Sequence, residues 1–437
     1  MFGYYLDLAI RSFGRSKALT VLMVLAIALG IGASMTTLTV FHVLAGDPIP
    51  QRSGQLFYVQ LDAANKNDFT PGEEPNSQLT RFDAETLLRE KKAVRQAVMS
   101  GGAAALQAGE GGTPGVAPFF GELRYASADF FAMFDVPFRY GQPWHEAEDD
   151  GRARIAVISS DLNQKLFAGA DSIGKTVRVS GHDLRVVGVL APWPLAPRFY
   201  DLNGRGGFAD TEQAFIPYST SRDLKLARSG SMDCWSDSKN DPTGPAAPCA
   251  WLQYWAQLDS AEQARDYRQY LLNYSEKQVA AGRFERPPNV RLRSVMEWLD
   301  FSKIVPADVR LQLWIAFGFL LVCLVNTVGL LLAKCMRRSA EIGVRRALGA
   351  SKREIFSQFL LEAGVVGLVG GAWGLVLAFG GLWLVRQNPA SYARLAHLDG
   401  RMLVTTFVLA LVASLIAGLL PAWRACAIAP ALQLKSQ

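Results

Sequence analysis

Hydrophobic positions in this chain collect in four long stretches, one near the N-terminus and three close together toward the C-terminal end. No Asp, Glu, Lys or Arg occurs in residues 18–46, 311–333, 363–385 or 402–423. Each stretch is long enough for a helix to cross a bilayer, which takes about 20 apolar residues. The pattern predicts a polytopic α-helical membrane protein with four transmembrane helices and a large α+β domain between helices 1 and 2.

The predicted boundaries follow from the charges that flank each apolar stretch. An amphipathic helix at the inner surface precedes the first span, and a polar tail follows the last. The predicted segments are amphipathic helix 1–17, span 18–46, extramembrane domain 47–308, span 309–334, inner loop and helix 335–357, span 358–386, short outer loop 387–400, span 401–423 and tail 424–437.

Within the extramembrane domain, short strands and helices alternate. Residues 56–61 (LFYVQL) predict a strand, residues 82–99 a polar helix, and residues 176–190 a pair of hairpin strands. Residues 191–250 lose this periodicity and are rich in Pro, Gly, Ser and Asp. They predict an insertion or a variable, loop-rich subdomain.

The distribution of charge sets the expected orientation in the membrane. The net charge is +6, and residues 334–354 alone hold seven basic side chains against two acidic ones. Short cytoplasmic loops accumulate Lys and Arg, so both termini and this loop are expected in the cytoplasm, with residues 47–308 on the far side. The basic surplus is therefore explained by topology, and no nucleic-acid partner is expected.

Cysteine positions agree with that orientation. Cys234 and Cys249 lie in the far-side domain, where an oxidising compartment favours a disulfide; the alternative is two buried thiols. Cys323, Cys335 and Cys426 lie in or beside the C-terminal spans and are expected to stay reduced.

Catalytic and nucleotide-binding motifs are not supported by their context. Residues 169–176 match the P-loop expression G-x-x-x-x-G-K-[ST], but a predicted helix precedes them and a predicted strand follows, which reverses the order that a P-loop needs. The four His residues form no metalloprotease motif. We expect no enzyme activity, no metal and no cofactor on this chain.

Small and polar residues inside the spans predict helix packing. Ala26, Gly30 and Ser34 are four residues apart, as are Gly367 and Gly371, and this spacing lets helices approach closely. Asn326 is expected to bridge helices within the membrane, and Glu362 to stay at the interface where the third span begins.

The inner loop is the strongest local pattern. Its apolar residues Ile342, Ala347 and Leu348 alternate with paired arginines and end at Gly349, which is typical of a short basic helix with a stop. Two interpretations are open: a helix that transmits motion from a cytoplasmic partner, or a positively charged anchor.

Three sequence blocks carry a family resemblance. Residues 337–363 (RRSAEIGVRRALGASKREIFSQFLLEA) with 370–374 (GGAWG), and residues 418–425 (GLLPAWRA), resemble the membrane segments of FtsX-like, MacB-type ABC transporter permeases. Residues 127–144 (SADFFAMFDVPFRYGQPW) resemble the MacB-type periplasmic core domain.

The resemblance implies a permease subunit of the bacterial inner membrane that works with a second permease copy or a sister permease. A cytoplasmic ABC ATPase dimer would supply ATP and Mg, and membrane helices would pass its motion to the periplasmic domain. By position, the expected ATPase-coupling residues are Glu341, Ile342, Gly343, Arg345, Arg346, Leu348 and Gly349. Residues 191–250 would meet the substrate or a periplasmic adaptor that leads to an outer-membrane duct, and membrane lipids surround the spans. MacB carries its ATPase on the same chain; here we expect it on a partner chain.

Three functions remain open within this family. The first is export of peptides, antibiotics or similar compounds; the second is lipoprotein release; the third is FtsX-like regulation of a cell-wall hydrolase without transport. The large far-side domain and its MacB-type sequence favour export.

Overall fold

The computed structural model describes residues 17–427 except 68, 205, 239–240, 388–390 and 399. The predicted amphipathic helix 1–17 and most of the predicted tail 424–437 lie outside the described residues. The described residues form two compact units, which are the membrane helices (up to residue 45 and from residue 305 onward) and an extramembrane domain (residues 46–304).

Four helices in the first unit are long and apolar enough to cross a membrane, which confirms the predicted fold class. A shorter helix, α10, lies between the second and third of them. The helices are α1 (Lys17–Ala45), α9 (Ala307–Arg337), α10 (Ser339–Ala347), α11 (Lys352–Arg386) and α12 (Gly400–Ala427), with a 3-10 turn at Ser391–Leu395.

The extramembrane domain contains strands and short helices in alternation, as an α+β domain does. Its strands are β1 (Leu56–Leu61), β2 (Leu79–Thr80), β3 (Arg95–Ala108), β4 (Phe119–Ala126), β5 (Phe138–Gly141), β6 (Ile155–Ile158), β7 (Thr176–Val179), β8 (His182–Leu190), β9 (Ala214–Pro217), β10 (Arg228–Ser229), β11 (Asp233–Cys234), β12 (Cys249–Gln257) and β13 (Val290–Ser294). Its helices are α2 (Arg81–Glu90), α3 (Phe130–Met133), α4 (Glu146–Asp150), α5 (Ser160–Phe167), α6 (Tyr218–Asp223), α7 (Ala261–Ala280) and α8 (Val295–Phe301).

One mixed sheet connects these strands in the order β13-β1-β12-β3-β4-β9-β6-β8-β5. The β4–β9 and β6–β8 pairs are parallel, whereas β1–β12, β12–β3 and β3–β4 are antiparallel. Because β7 pairs with both β3 and β8, strands β3, β4, β9, β6, β8 and β7 close into a ring. The long strand β3 belongs both to this ring and to the flatter part of the sheet.

The predicted helix over residues 82–99 is wrong in its second half, where strand β3 begins. α2 ends at Glu90, and Lys91 takes a left-handed backbone conformation with φ 47°. The strand that follows is buried on both faces, because Ala97 and Met99 enter one hydrophobic core while Val98 enters another. A strand buried on both faces shows no alternation of apolar and polar residues, so its sequence resembles that of a helix.

Residues 191–250 also differ from the prediction, because they are not a separate subdomain. They supply β9 to the middle of the sheet, and Phe199 and Tyr200 are fully buried in the aromatic core. The predicted disulfide at the end of the segment is confirmed: Cys234 on β11 is bonded to Cys249 on β12, with the two Cα atoms 4.1 Å apart.

A buried ion-pair network holds the first part of this segment against β4. Arg124 on β4 pairs with Asp201 and donates to the Glu212 carboxylate, with Nη2 2.5 Å and Nε 3.0 Å from Oε1. Arg198 Nη1 lies 2.9 Å from Glu212 Oε2, which also accepts the Tyr200 hydroxyl at 2.9 Å. Burial alone would raise the pKa of Glu212, but the facing guanidinium groups of Arg198 and Arg124 lower it to about 2.

Glycines on α11 allow two neighbouring helices to pack at close range. A Cβ atom at Gly370 would lie 2.7 Å from Ile27 Cγ2 on α1, and one at Gly371 would lie 2.7 Å from Ala410 Cβ on α12. One at Gly367 would overlap the Ser414 side chain on α12. Gly370 therefore faces α1, whereas Gly367 and Gly371 face α12, which fits small-residue packing in membranes.

Replacing Gly370 with alanine is expected to destabilise the helix bundle by about 1–3 kcal/mol, since Ile27 must move to admit the methyl group. Gly380→Ala on the same helix is the matched control, because a Cβ there meets nothing within 4 Å. That variant is expected to gain up to about 1 kcal/mol from helix propensity. Thermal unfolding in lipid nanodiscs measures both, and changes of the same sign would contradict the packing at Gly370.

Candidate functional site

The basic segment between the second and third spans folds as α10 and is joined to both spans by turns of only a few residues. At the end of α9, the backbone N–H of Arg338 donates to the Cys335 carbonyl oxygen at 3.1 Å. After α10, Gly349 has φ +101°, a left-handed conformation that favours glycine. Ser351 then caps α11. Short turns therefore connect α10 directly to the two membrane helices α9 and α11.

Two of the predicted coupling residues face inward. Ile342 and Gly343 are buried, and Ile342 packs in a cluster contributed by α9, α11 and α12. The other members of that cluster are Cys335, Ile355, Phe359 and Ala422, with Phe356 at its edge. Ile342 and Gly343 thus attach α10 to the membrane helices and are not available to a cytoplasmic partner.

The opposite side of α10 presents an apolar stripe to solvent. Leu348 is 83% exposed and Val344 is 54% exposed, and Ala340 and Ala347 are exposed beside them. Residues 340, 344, 347 and 348 share one helix face because they are spaced by four, three and one. The sequence pattern indicates Leu348 but not Val344, because the exposure of Val344 depends on how the helix is rotated.

Charged residues of α10 fix that rotation. Arg345 Nη2 lies 2.6 Å from the Glu341 carboxylate one turn earlier, and Nη1 donates to Gln358 Oε1 on α11 at 3.2 Å. Arg346 is half-buried, and Gly349 is exposed in its turn. Some of the seven predicted coupling residues therefore anchor α10 to the membrane helices, and the others are presented outward.

A buried ion pair beside α10 was not predicted. Lys334 near the end of α9 pairs with Glu362 on α11, and both side chains are almost fully buried. Arg338 Nη1 lies 3.6 Å from the second Glu362 oxygen. Glu362 was expected at the interface where the third span begins, and at that end of the span it ties α9 to α11. A buried carboxylate has to be paired, so a search for basic residues near the ends of both spans would have found Lys334.

The predicted packing residues of α1 do contact another helix. A Cβ at Gly30 would lie 2.9 Å from Leu320 Cδ1, and the Ser34 hydroxyl donates to the Ala316 carbonyl oxygen at 3.1 Å, both on α9. Ala26 is only half-buried. Asn326 differs from its prediction, because its side chain is exposed on α9 and bridges no helices among the described residues.

At residues 169–176, which match the P-loop expression, the order of the flanking helix and strand excludes a phosphate cradle. Helix α5 precedes it and strand β7 follows it, so no helix N-terminus faces the glycines. The Lys175 ammonium lies over the Phe167 ring, 5.3 Å from its centroid. Within the described ranges, no cluster of three or more His, Cys, Asp or Glu residues is placed to hold a metal ion.

A cavity of about 300 Å³ lies beside the disulfide in the extramembrane domain. Its walls include Phe82, Trp235 and Arg283, with Pro245 and Pro248 from the disulfide-closed loop. The Arg283 guanidinium lies 4.4 Å from the centroid of the Phe82 ring. The cavity is therefore mainly apolar, with one cation at its wall.

Comparison with known families matches both units of the chain. The family model for the MacB-like periplasmic core domain matches residues 20–272, and that for the FtsX-like permease C-terminal matches residues 313–430. The chain belongs to the MacB-like and FtsX-like permeases. The resemblance identified from the sequence blocks is thereby confirmed, and the four spans with a large domain between the first and second are the layout of such a permease.

Curated relatives of the permease are named as ATP-binding/permease proteins. The pyoverdine export protein PvdT of Pseudomonas syringae pv. tomato is 30% identical over 75% of this chain and 45% of its own length. The macrolide export protein MacB of Escherichia coli (strain K12) is 24% identical over 86% of this chain and 52% of its own length. The chain spans about half the length of these relatives.

A solved structure is similar to part of this chain. The periplasmic region of MacB from Actinobacillus actinomycetemcomitans aligns with 57% of this chain and 94% of that one, at 13% identity and a TM-score of 0.36.

Proposed function

We propose that this permease transmits the motion of a cytoplasmic ABC ATPase dimer, carried on partner chains, through α10 to its extramembrane domain and so exports peptides, antibiotics or similar compounds. The observation that supports this most directly is α10 itself. It presents Val344 and Leu348 outward while Ile342 and the Arg345–Gln358 hydrogen bond attach it to the spans. An amphipathic helix of this kind fits a hydrophobic groove on a partner.

The direction of transmission follows from the charges around α10. Lys and Arg surround it, so the positive-inside rule puts α10 in the cytoplasm, where nucleotide is available. The partner ATPase, and not this chain, then holds the ATP and Mg. The names of the relatives, which refer to pyoverdine and macrolide export, favour export over lipoprotein release or regulation of a hydrolase.

On the far side, the extramembrane domain would receive the substrate or an adaptor that leads to an outer-membrane duct. The cavity between Phe82, Trp235 and Arg283 is the place we propose for an apolar group of that substrate. Gentle affinity purification from native membranes, followed by mass spectrometry, tests the assembly as a whole. Recovery of an ABC ATPase supports the proposal, whereas recovery without any ATPase contradicts it.

Leu348→Glu is expected to reduce ATPase recovery about tenfold or more, because a carboxylate in the partner's apolar groove must lose its hydration. Phe120→Glu is the matched control, since Phe120 in the extramembrane domain is 82% exposed and Leu348 is 83% exposed. Quantitative mass spectrometry of the purified complex measures the loss. Equal recovery of the ATPase with both variants would show that α10 is not the docking element.

A further inference from the structure

Two arginines and a tryptophan meet in the extramembrane domain, next to the loop that the disulfide closes. Trp251 is on β12, Arg222 is near the end of α6, and Arg228 is on β10. The guanidinium carbon atoms of Arg222 and Arg228 lie 5.5 Å and 6.0 Å from the centroid of the Trp251 ring. We call these three residues the arginine–tryptophan cluster.

A β-bulge sets the direction of the Trp251 side chain. The pairing of β12 with β2 shifts register between Ala250 and Leu252, so Trp251 is the extra residue of the bulge. Such bulges redirect side chains and are frequent beside functional sites. Trp251 is 2% exposed, and its Nε1 has no hydrogen-bond partner among the described residues. A buried indole N–H usually has an acceptor, so this donor is left unsatisfied.

The two arginines of the cluster donate only to neutral oxygens. Arg222 Nη2 donates to the Thr243 carbonyl oxygen at 3.1 Å. Arg228 Nη1 donates to the carbonyl oxygens of Gly230 at 2.9 Å and Ser231 at 3.1 Å. Neither guanidinium forms an ion pair within the part of the chain that the structure describes, and Arg222 Nε is buried without a partner.

Burial without an adjacent carboxylate affects both guanidinium groups. Burial, followed by the positive charge of Arg81, lowers the pKa of Arg222 by more than the acidic groups farther away raise it. Burial likewise lowers the pKa of Arg228. Elsewhere in the domain the partly buried Arg286 has an anionic partner, because its Nη1 lies 3.4 Å from the Asp62 carboxylate. The cluster therefore has the charge and the donors for an anion.

The loop shows where an anion would fit. The Thr243 carbonyl oxygen accepts from Arg81 Nη1 at 3.3 Å as well as from Arg222, so two cations share one neutral oxygen. Arg81 is also paired with Glu85, at 2.7 Å, whereas Arg222 has no such pair. Hydrogen bonds from a guanidinium to a carboxylate or phosphate are roughly twice as strong as those to a neutral acceptor. An anionic oxygen would therefore compete well for the position of the Thr243 carbonyl.

The cavity of about 300 Å³ described above adjoins this position. Thr80, in its wall, immediately precedes Arg81, and Pro245, also in its wall, is two residues after Thr243. The remaining walls are mainly apolar. A molecule whose acidic group lies at the cluster can therefore place an apolar group in the cavity.

We propose that the arginine–tryptophan cluster binds the carboxylate or phosphate group of a small molecule whose apolar part lies in the adjoining cavity. Arg222 and Arg228 supply the positive charge, and the Trp251 indole N–H supplies a further hydrogen bond. The inference deepens the proposed function, on which it rests for the transport of that molecule, because it gives the exported compound an acidic group. Binding itself requires no ATPase.

Equilibrium dialysis of naphthoate, a naphthalene carboxylate, against the full chain in nanodiscs tests the site. Naphthamide is the matched uncharged probe, and empty nanodiscs correct for uptake by lipid. We expect naphthoate to bind at least about tenfold more tightly than naphthamide. Arg222→Gln and Arg228→Gln should each weaken naphthoate binding about tenfold and leave naphthamide binding within about twofold. Equal binding of the two probes by the wild type would overturn the proposal.

Arg139→Gln is the matched control, because the Arg139 guanidinium also lies against an aromatic ring, 5.2 Å from the centroid of Tyr140, but outside the cluster. It should bind naphthoate as the wild type does. Trp251→Phe keeps an aromatic ring without the N–H, and a loss of about threefold confined to naphthoate is expected. Equal losses for Arg139→Gln and Arg222→Gln would show that only net charge matters and would refute the site. Naphthoate should also raise the unfolding temperature of the wild type but not of Arg222→Gln, which separates lost binding from a folding defect.

Competition identifies the anionic group. Displacement of bound naphthoate by acetate indicates a carboxylate ligand, and displacement by inorganic phosphate indicates a phosphate ligand. Displacement by neither anion would contradict the proposal. The purified chain contains no ATPase, so failed probe binding rejects the cluster, whereas failed ATPase recovery rejects the proposed assembly.

Discussion

Replacing Glu212 with glutamine is expected to destabilise the extramembrane domain by about 3–5 kcal/mol, because one partner of a buried ion pair loses its charge. The glutamine keeps the shape of the side chain, but Arg124 and Arg198 then remain buried opposite Asp201 alone. Urea unfolding of the full chain in nanodiscs, followed by near-UV circular dichroism, measures the change. The signal is appropriate because Tyr200, beside the network, stacks on Trp193.

Asp223→Asn is the control for the Glu212 variant. Asp223 also faces two arginines, Arg152 at 3.2 Å and Arg154 at 2.7 Å, but these pairs are at the surface. Solvent and salt screen such pairs, so little change is expected. Equal destabilisation by the two variants would contradict the role assigned to the buried network.

The pH dependence of the same domain provides a second test of Glu212. Its pKa in the folded protein is about 2, below the ordinary value of 4.5. A carboxyl group whose pKa is lowered by folding stabilises the fold above its unfolded pKa, and this contribution disappears as the pH falls from about 4.5 toward 2. The wild type should therefore lose more stability than Glu212→Gln over that interval.

The second large effect is expected at the inner end of the bundle. Glu362→Gln leaves Lys334 and Arg338 without their carboxylate and should cost about 3–5 kcal/mol. The buried thiols of Cys323 and Cys335 report the loss, because a fluorogenic maleimide reaches them only when the helices separate. Cys426 is replaced by serine in every variant.

Two further variants make the result at Glu362 specific. Glu341→Gln removes the half-exposed ion pair that Glu341 forms with Arg345 within α10. A cost of only about 0.5 kcal/mol is expected. The double variant Lys334→Met with Glu362→Met removes both charges and should regain most of the stability. Failure of the double variant to recover would indicate that packing, and not the charges, governs this position.

The sequence contains enough information for the layout of the permease but not for its buried polar contacts. Four spans, the disulfide, the strand at 56–61 and the strand pair at 176–190 follow from apolar length, cysteine position and alternation, each of which is a local property. The network around Glu212 joins residues from separate segments, and in the sequence Arg198 and Asp201 resemble ordinary loop residues. Residues 191–250 were therefore expected to be an insertion or a loop-rich subdomain, although Phe199, Tyr200 and β9 complete the core and the sheet.

At the inner loop, the rotation of α10 explains why the sequence pattern predicts the helix but not which of its residues face outward. The pattern of Ile342 and Leu348 predicts a helix, but which residues face inward depends on α11 and α12, where Phe359 and Ala422 cover Ile342. A helix with apolar residues on two sides gives no local indication of which side is buried. Val344 could therefore be assigned to the outer stripe only from the three-dimensional structure.

The position of β12 determines when the extramembrane domain can form. β12 is placed between β1 and β3, yet it follows both in the chain, beginning at Cys249. At ordinary synthesis rates, the interval between the ends of β3 and β12 lasts on the order of 10 s. During that time β1 and β3 present unpaired edges to other chains beyond the translocation channel, which is a condition for aggregation. A chain truncated before residue 257 therefore lacks the complete β12 and leaves open edges on β1 and β3, and shielding of those strands until β12 is made is expected to reduce aggregation.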